Sequence, residues 1–191
     1  MKIGLFFGSF NPIHIGHCIL AQTALNETPL DRVWMMITPQ NPFKQKKNLL
    51  PEYERLRLAE IALEGQDKIM ASNVEFSLPK PSYTIDTLTH LADQYRSYEF
   101  SLIMGQDNLQ HLHKWKNHEA IVKYYPIYVY PRVGSEPSPY DHHDQVHFFE
   151  APLLNISATY IRTLLKEGKS IKYLVPPGVE EALLQAGLYK R

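Results

Sequence analysis

Residues 2–17 read KIGLFFGSFNPIHIGH, and this stretch decides the fold. Residues 2–7 are an apolar and aromatic run closed by Gly8. A run without polar alternation suits a strand buried on both faces, as in a parallel sheet. Pro12 then stands near the start of a helix expected over about residues 14–26. Strand, glycine turn and helix in this order open a βαβ unit. Gly8 and Ser9 let the backbone approach a ligand closely. The helix start offers free N–H groups and the positive end of the dipole, which favour phosphate. His14 and His17 are three apart, so they are expected on one helix face, both aiming donors at the same phosphate oxygens. Two donors at a pentacoordinate phosphorus stabilise charge that grows in the transition state. A zinc site built from this pair would lack a third ligand nearby in sequence.

Working outward, residues 32–38 (RVWMMIT) read as a second strand, stopped by Pro39. The loop PQNPFKQKKNLLP leads into an amphipathic helix over 52–64, entered through Pro51 and stopped by Gly65. Residues 69–76 hold a third strand. Residues 83–95 read as a helix, with Ile85, Leu88, Leu91 and Ala92 at helical spacing. Residues 100–104 form a buried strand ending in Gly105. Helical stretches over 107–113 and 119–124 precede a strand over 127–130. A polar, Pro-rich loop over 133–145, a strand over 146–150 and helices over 157–166 and 179–185 follow. The alternation predicts one α/β domain over residues 1–191. Its fold is a Rossmann-like doubly wound parallel sheet with helices on both faces and a C-terminal helical part from about residue 157. Ligands bind such sheets at strand carboxyl ends where strand order reverses. That rule singles out the loop after the first strand and the turn at Gly105–Asp107.

Lysines plus arginines equal aspartates plus glutamates at 20 each, so the formal net charge is zero. A nucleic-acid binder usually shows a basic excess or stripe, so none is expected as a partner. The single cysteine, Cys18, forms no intrachain disulfide and reads as a small hydrophobe. No apolar run approaches the ~20 residues that span a bilayer, and the opening residues lack a signal-peptide pattern. A cytoplasmic enzyme with no membrane partner is expected; the sequence leaves open a homo-oligomer. The cluster Asp141, His142, His143 and Asp144 lies in the Pro-rich loop and reads as solvated. His111, His113 and His118 surround Trp115, and at most one of them is expected to matter.

A second signal is NISATYIR, residues 155–162. Ser157 can cap a helix whose free N–H groups face a phosphate. Arg162, about one and a half turns in, carries a fork suited to phosphate oxygens. Alone this is a cap and a surface arginine; paired with the first motif it reads as a phosphate clamp. There is neither a P-loop motif nor a G-x-G-x-x-G after the first strand.

GSFNPIHIGH and ISATYIR together resemble the nucleotidyltransferase superfamily with (T/S)xxH and HxGH signatures. HIGH also resembles class I aminoacyl-tRNA synthetases, but a KMSKS-type loop is missing. Within the superfamily the chain is similar to bacterial nicotinate-nucleotide adenylyltransferases. The further segments that carry the likeness are PQNPFK at 39–44, SYTIDTL at 82–88 and MGQDNLQHLHKW at 104–115. The resemblance implies that Gly8, Ser9 and Phe10 form the turn over ATP and substrate phosphate, and that His14 and His17 hold ATP phosphates. It implies Gly105 and Asp107 at the ribose and adenine, Ile156 near the base, and Ser157 and Arg162 on the leaving pyrophosphate. Thr84 and Trp115 would face the nicotinate ring, and Lys44 would reach the mononucleotide or polyphosphate. The chain departs from the pattern at Asn11, where Asp is commoner, and at Ala158, where serine is usual.

The implied reaction joins ATP and nicotinate mononucleotide, giving nicotinate adenine dinucleotide and pyrophosphate. His14, His17 and Arg162 are the catalytic candidates. Mg²⁺ would travel with the ATP phosphates, with no metal site made by protein ligands alone. Two alternatives stand. Phosphopantetheine adenylyltransferase would share the end motifs but leave residues 82–88 and Trp115 unexplained. A catalytically silent nucleotide-binding module would have no use for a leaving-group clamp.

Overall fold

A computed structural model describes residues 1–40 and 49–189. Lys44, with Lys46 and Lys47, lies outside the described residues. Six strands form one sheet in the order β3-β2-β1-β4-β5-β6. They are β1 (Lys2–Gly8), β2 (Arg32–Ile37), β3 (Ile69–Ser72), β4 (Glu99–Gly105), β5 (Ile127–Tyr130) and β6 (Val146–Phe148). Every pairing is parallel. The order reverses between β1 and β4, so their carboxyl ends, Gly8 and Gly105, flank the switch point.

Side chains alternate through the sheet with period two, and two cores result. Phe6, Val33, Met35, Ile37 and Ile103 point to one face. There they pack with α1 (Ile15–Glu27), α2 (Glu52–Ala62), α6 (Ala158–Lys166) and α7 (Pro177–Gln185). Ile3, Leu5, Trp34, Met36 and Leu102 point to the other face, against α3 (Thr84–Gln94), α4 (Gln106–Gln110) and α5 (His118–Tyr124). The chain is therefore doubly wound, as the alternation predicts. No helix among the described residues is long and apolar enough to cross a membrane.

Two boundaries differ from expectation in an informative way. The third strand stops at Ser72 rather than Phe76, and residues Val74–Ser77 form a 3₁₀ turn. The turn carries Glu75 inward, where its carboxylate accepts a 2.7 Å bond from Thr87 of α3. The last strand stops at Phe148 rather than Glu150.

Arg55 on α2 is 1 % exposed. Its guanidinium donates to the carbonyls of Leu50 (3.0 Å), Ser9 (2.7 Å), Thr38 (2.8 Å) and Pro39 (3.2 Å). One buried fork thus ties the turn after β1 to the chain leaving β2. Burial pulls its pKa below the ordinary arginine value, with Glu52 and Tyr189 opposing. Replacing it strands several buried carbonyls. Arg55→Met is expected to lower unfolding free energy by about 3–5 kcal/mol, the scale of breaking a buried charged group's bonds. Urea denaturation measures this; a loss below about 1 kcal/mol would mean water replaces the fork.

Candidate active site

The turn after β1 is built by crowding. A Cβ on Gly8 would stand 2.8 Å from the Phe10 ring, so the ring folds across a position only glycine can occupy. Phe10 itself is buried, adopts a left-handed backbone (φ 44°) and packs edge-on against His17, 4.9 Å between centroids. Its ring therefore shapes the floor, and its main chain is what the turn presents.

His14 is not on the helix face. It is the N-cap of α1 with extended backbone (φ −146°, ψ 168°). The expectation of an i, i+3 helical pair is corrected accordingly. The two rings still meet, because His14 folds back to stack on His17 at 3.6 Å and 19°. The His14 N–H donates to His17 Nδ1 at 3.2 Å, so His17 acts as the third-position partner of the cap. That bond makes Nδ1 an acceptor and leaves the proton on Nε2. Gly16 between them is also dictated by space: a Cβ there would lie 3.1 Å from His14 Nδ1.

A cavity of about 530 Å³ opens over this turn. Gly8, Ser9 and Phe10 border it, as do His14 and His17. Asp107 of α4 also borders it, as do Ile156, Ser157 and Arg162. Ser157 caps α6, its Oγ accepting from Tyr160 N at 3.2 Å. Ala158 and Thr159 of the first turn face the same cavity, giving it the anion-favouring end of a helix. Arg162 donates to the Asn11 carbonyl (2.7 Å) and to Thr159 Oγ1 (3.1 Å), which fixes its guanidinium at the cavity border. Gly105 is buried and does not border the cavity; it is the N-cap of α4, next to Asp107.

Thr84 and Trp115 border a neighbouring cavity of about 160 Å³. The two spaces share Phe6, Phe7, Gly8, Ser9, Asn108 and Tyr130, so the end of β1 and its turn lie between them. Thr84 is the first residue of α3. Lys116 borders the same space, pairs with Asp86 at 2.8 Å and lies over the Tyr83 ring.

Several bordering residues escape sequence reasoning. Arg132 borders the larger cavity and faces Asp107 at 3.6 Å. It stands two residues past the end of β5, so the strand-end rule could have found it. Tyr130 borders both cavities, and burial pushes its hydroxyl up to about 12. The loop histidine and aspartate cluster makes local turns instead: Ser138 N donates to Asp141 and Gln145 N to His143. Burial raises Cys18 to about 11, as suits an unreactive thiol.

Burial, then the charge of Arg132, lowers the His14 pKa from 6.5 to about 4. The ring is neutral near pH 7 and has an N–H, not a charge, to offer a ligand. Because the folded value is depressed, the unfolded chain takes up this proton first. The associated stability is present above 6.5 and is lost as pH falls through about 4. An NMR titration of the ligand-free protein is expected to show one histidine, assigned by His14→Gln, with a midpoint well below 6. A His14 midpoint between 6 and 7 would contradict the buried, arginine-facing placement.

Comparison with known proteins gives concordant matches. Residues 5–164 match the cytidylyltransferase-like family model. A protein of Cytophaga hutchinsonii named "Probable nicotinate-nucleotide adenylyltransferase" is 53% identical over 189 residues, covering 99% of this chain and 98% of that protein. A Flavobacterium psychrophilum protein of the same name is 49% identical over the full length of both chains. In fold, the chain resembles a solved structure described as Plasmodium falciparum nicotinic acid mononucleotide adenylyltransferase complexed with NaAD. The TM-score is 0.81 at 20% identity, over 99% of this chain and 97% of that one.

Proposed function

The chain belongs to the cytidylyltransferase-like family, among its nicotinate-nucleotide adenylyltransferases, and from that premise we propose how its site carries out the reaction. ATP occupies the larger cavity and nicotinate mononucleotide the smaller, with the phosphates of both meeting at the Gly8–Ser9 turn. The observation that carries this reading is the adjacency of the two spaces across one turn, with His14, His17 and Arg162 all on the ATP side.

The acceptor phosphate oxygen attacks the ATP α-phosphorus. A new P–O bond forms, the bond to the bridging oxygen breaks, and pyrophosphate leaves with those electrons. The nucleophile is already an anion, so no general base is needed. Catalysis is placement and charge stabilisation. His17 Nε2 and the neutral His14 ring donate where charge develops on the α-phosphate, a role for which one preorganised donor is worth about 10²–10³ in rate. Arg162 and the start of α6 receive the leaving pyrophosphate. Arg132 offsets Asp107, the one carboxylate bordering the larger cavity among the described residues. A cavity with two arginines, two histidines and one carboxylate suits a polyphosphate that brings its own Mg²⁺. Asp107 lies toward the ribose and Ile156 toward the base. The lone thiol suits a cytoplasmic setting.

Nicotinate differs from nicotinamide by charge more than shape, so the smaller site must read the carboxylate. The main-chain N–H of Thr84 at the start of α3, and that of Lys116 just after Trp115, are the readers. A helix start favours an anion by about 0.3–2 kcal/mol, and donors repel the amide's NH₂. Trp115 stacks on the ring and excludes water.

With Mg·ATP, the enzyme is expected to form a dinucleotide and pyrophosphate from nicotinate mononucleotide. In competition with nicotinamide mononucleotide, the acid should win by at least about tenfold in kcat/KM. Chromatography of the products settles both points. No dinucleotide from well-folded enzyme would sink the activity; equal consumption would sink the carboxylate reading alone.

A further inference from the structure

Tyr189 reaches back across 178 residues of sequence to donate its hydroxyl to Asn11 Oδ1. Its path is specific. Helix α7 packs on α2 so closely that a Cβ on Gly178 would stand 2.8 Å from Ile61. The helix then ends in a left-handed Gly187, with Gly187 N bonded to Leu184 O and Leu188 N to Leu183 O. That reversal tucks Leu188 and Tyr189 against the core beneath α1, α2 and α6. Tyr189 is itself left-handed (φ 62°), a conformation a tyrosine keeps only where its surroundings impose it.

Asn11 is the meeting point. Its side-chain oxygen, with two lone pairs, accepts from Leu50 N at 3.1 Å and from Tyr189. Its main-chain oxygen carries Arg162 at 2.7 Å. Two residues earlier, the Ser9 carbonyl carries Arg55. Arg162 and Arg55 both act electrostatically on the Tyr189 hydroxyl, but burial outweighs them and keeps the phenol protonated as a donor. The phenol, the two guanidiniums and the turn over the larger cavity are therefore one connected set.

We propose that Tyr189 is a positioning residue for the transfer reaction, acting through Asn11 to fix the Ser9–Asn11 turn and the carbonyl on which Arg162 rests. The inference rests on the assignment of that turn and of Arg162 to the ATP phosphates. It also explains how the chain tolerates Asn at position 11: the amide oxygen supplies both acceptor sites that the network uses. A carboxylate there would supply both acceptors too, so Asn11→Asp is the conservative replacement at this position.

The consequence is an asymmetry between substrates. Within the set, Asn11 and Arg162 border the larger cavity alone, Ser9 borders both, and Thr84 and Trp115 lie outside it, so its loss should weigh on ATP more than on the acceptor. The test compares wild type, Tyr189→Phe, Asn11→Ala, the double variant and Asn11→Asp. The readouts are kcat, KM for each substrate, Mg·ATP affinity by calorimetry, and the thermal midpoint. Tyr189→Phe keeps the ring and should fold with little change in midpoint. Its kcat is expected to fall on the order of tenfold and its ATP affinity several-fold, with the acceptor KM within about twofold, since small misplacements of phosphate ligands are costly in rate. The double variant should be no slower than Asn11→Ala, because residues acting as one unit are non-additive. Asn11→Asp, which keeps the acceptor oxygens, should recover most of the kcat that Asn11→Ala loses.

The inference is overturned if Tyr189→Phe keeps kcat within about twofold, if the two losses multiply, or if both substrates and the midpoint suffer alike as for a general packing defect. Should wild-type enzyme yield no dinucleotide, the functional reading fails separately. Calorimetry then decides the positioning: weaker Mg·ATP binding by Tyr189→Phe, absent further loss in the double variant, supports it, and unchanged binding overturns it.

Discussion

The carbonyls of Ser9 and Asn11 are each held by an arginine, Arg55 at 2.7 Å and Arg162 at 2.7 Å, and the site depends on that pair of bonds. A turn of three residues at a strand end has little means of fixing itself. Here two guanidiniums hold it from helices that pack on the same face of the sheet. Arg55 is fully committed to main-chain oxygens and is structural. Arg162 gives one terminal nitrogen to the turn and the other to Thr159 Oγ1, and borders the cavity. Definition of the turn and the arginine that borders the cavity are thus parts of one arrangement.

The histidines follow from the same logic of space. Phe10 lies across Gly8, His17 packs on Phe10, and His14 stacks on His17 over Gly16. Each contact in this column fixes the next, so the donors are oriented before substrate arrives. Such preorganisation is what makes a hydrogen-bond donor effective in the transition state. Depression of the His14 pKa belongs to this arrangement, since a buried ring facing Arg132 is held neutral. Positive charge at the cavity is left to Arg132 and Arg162, which cannot lose it near neutral pH.

Much of this is legible in the sequence, for identifiable reasons. Strand, glycine and helix at residues 2–17 are local features, and apolar period and turn residues report the doubly wound sheet. The end motifs name most of the residues around the larger cavity. What stays hidden depends on distance or on dihedrals. That His14 is a cap and not a helical residue turns on one ψ angle. Glu75 reads as strand because its inward bond to Thr87 is invisible to periodicity. Arg55 and Tyr189 look like an ordinary helix arginine and a late aromatic, and only contacts across 46 and 178 residues give them meaning. Lys44, which the likeness places near a phosphate, falls outside the described residues.

The central claim is a direct displacement at the α-phosphorus by a substrate phosphate, with the protein supplying only placement and donors. The stereochemistry at that phosphorus tests it without reference to any variant. Using ATP chiral at the α-phosphate through sulfur substitution, the dinucleotide product should show inversion of configuration, as one in-line step requires. Retention would require two displacements and a covalent nucleotidyl-enzyme, and would contradict a site in which His14 and His17 act as hydrogen-bond donors.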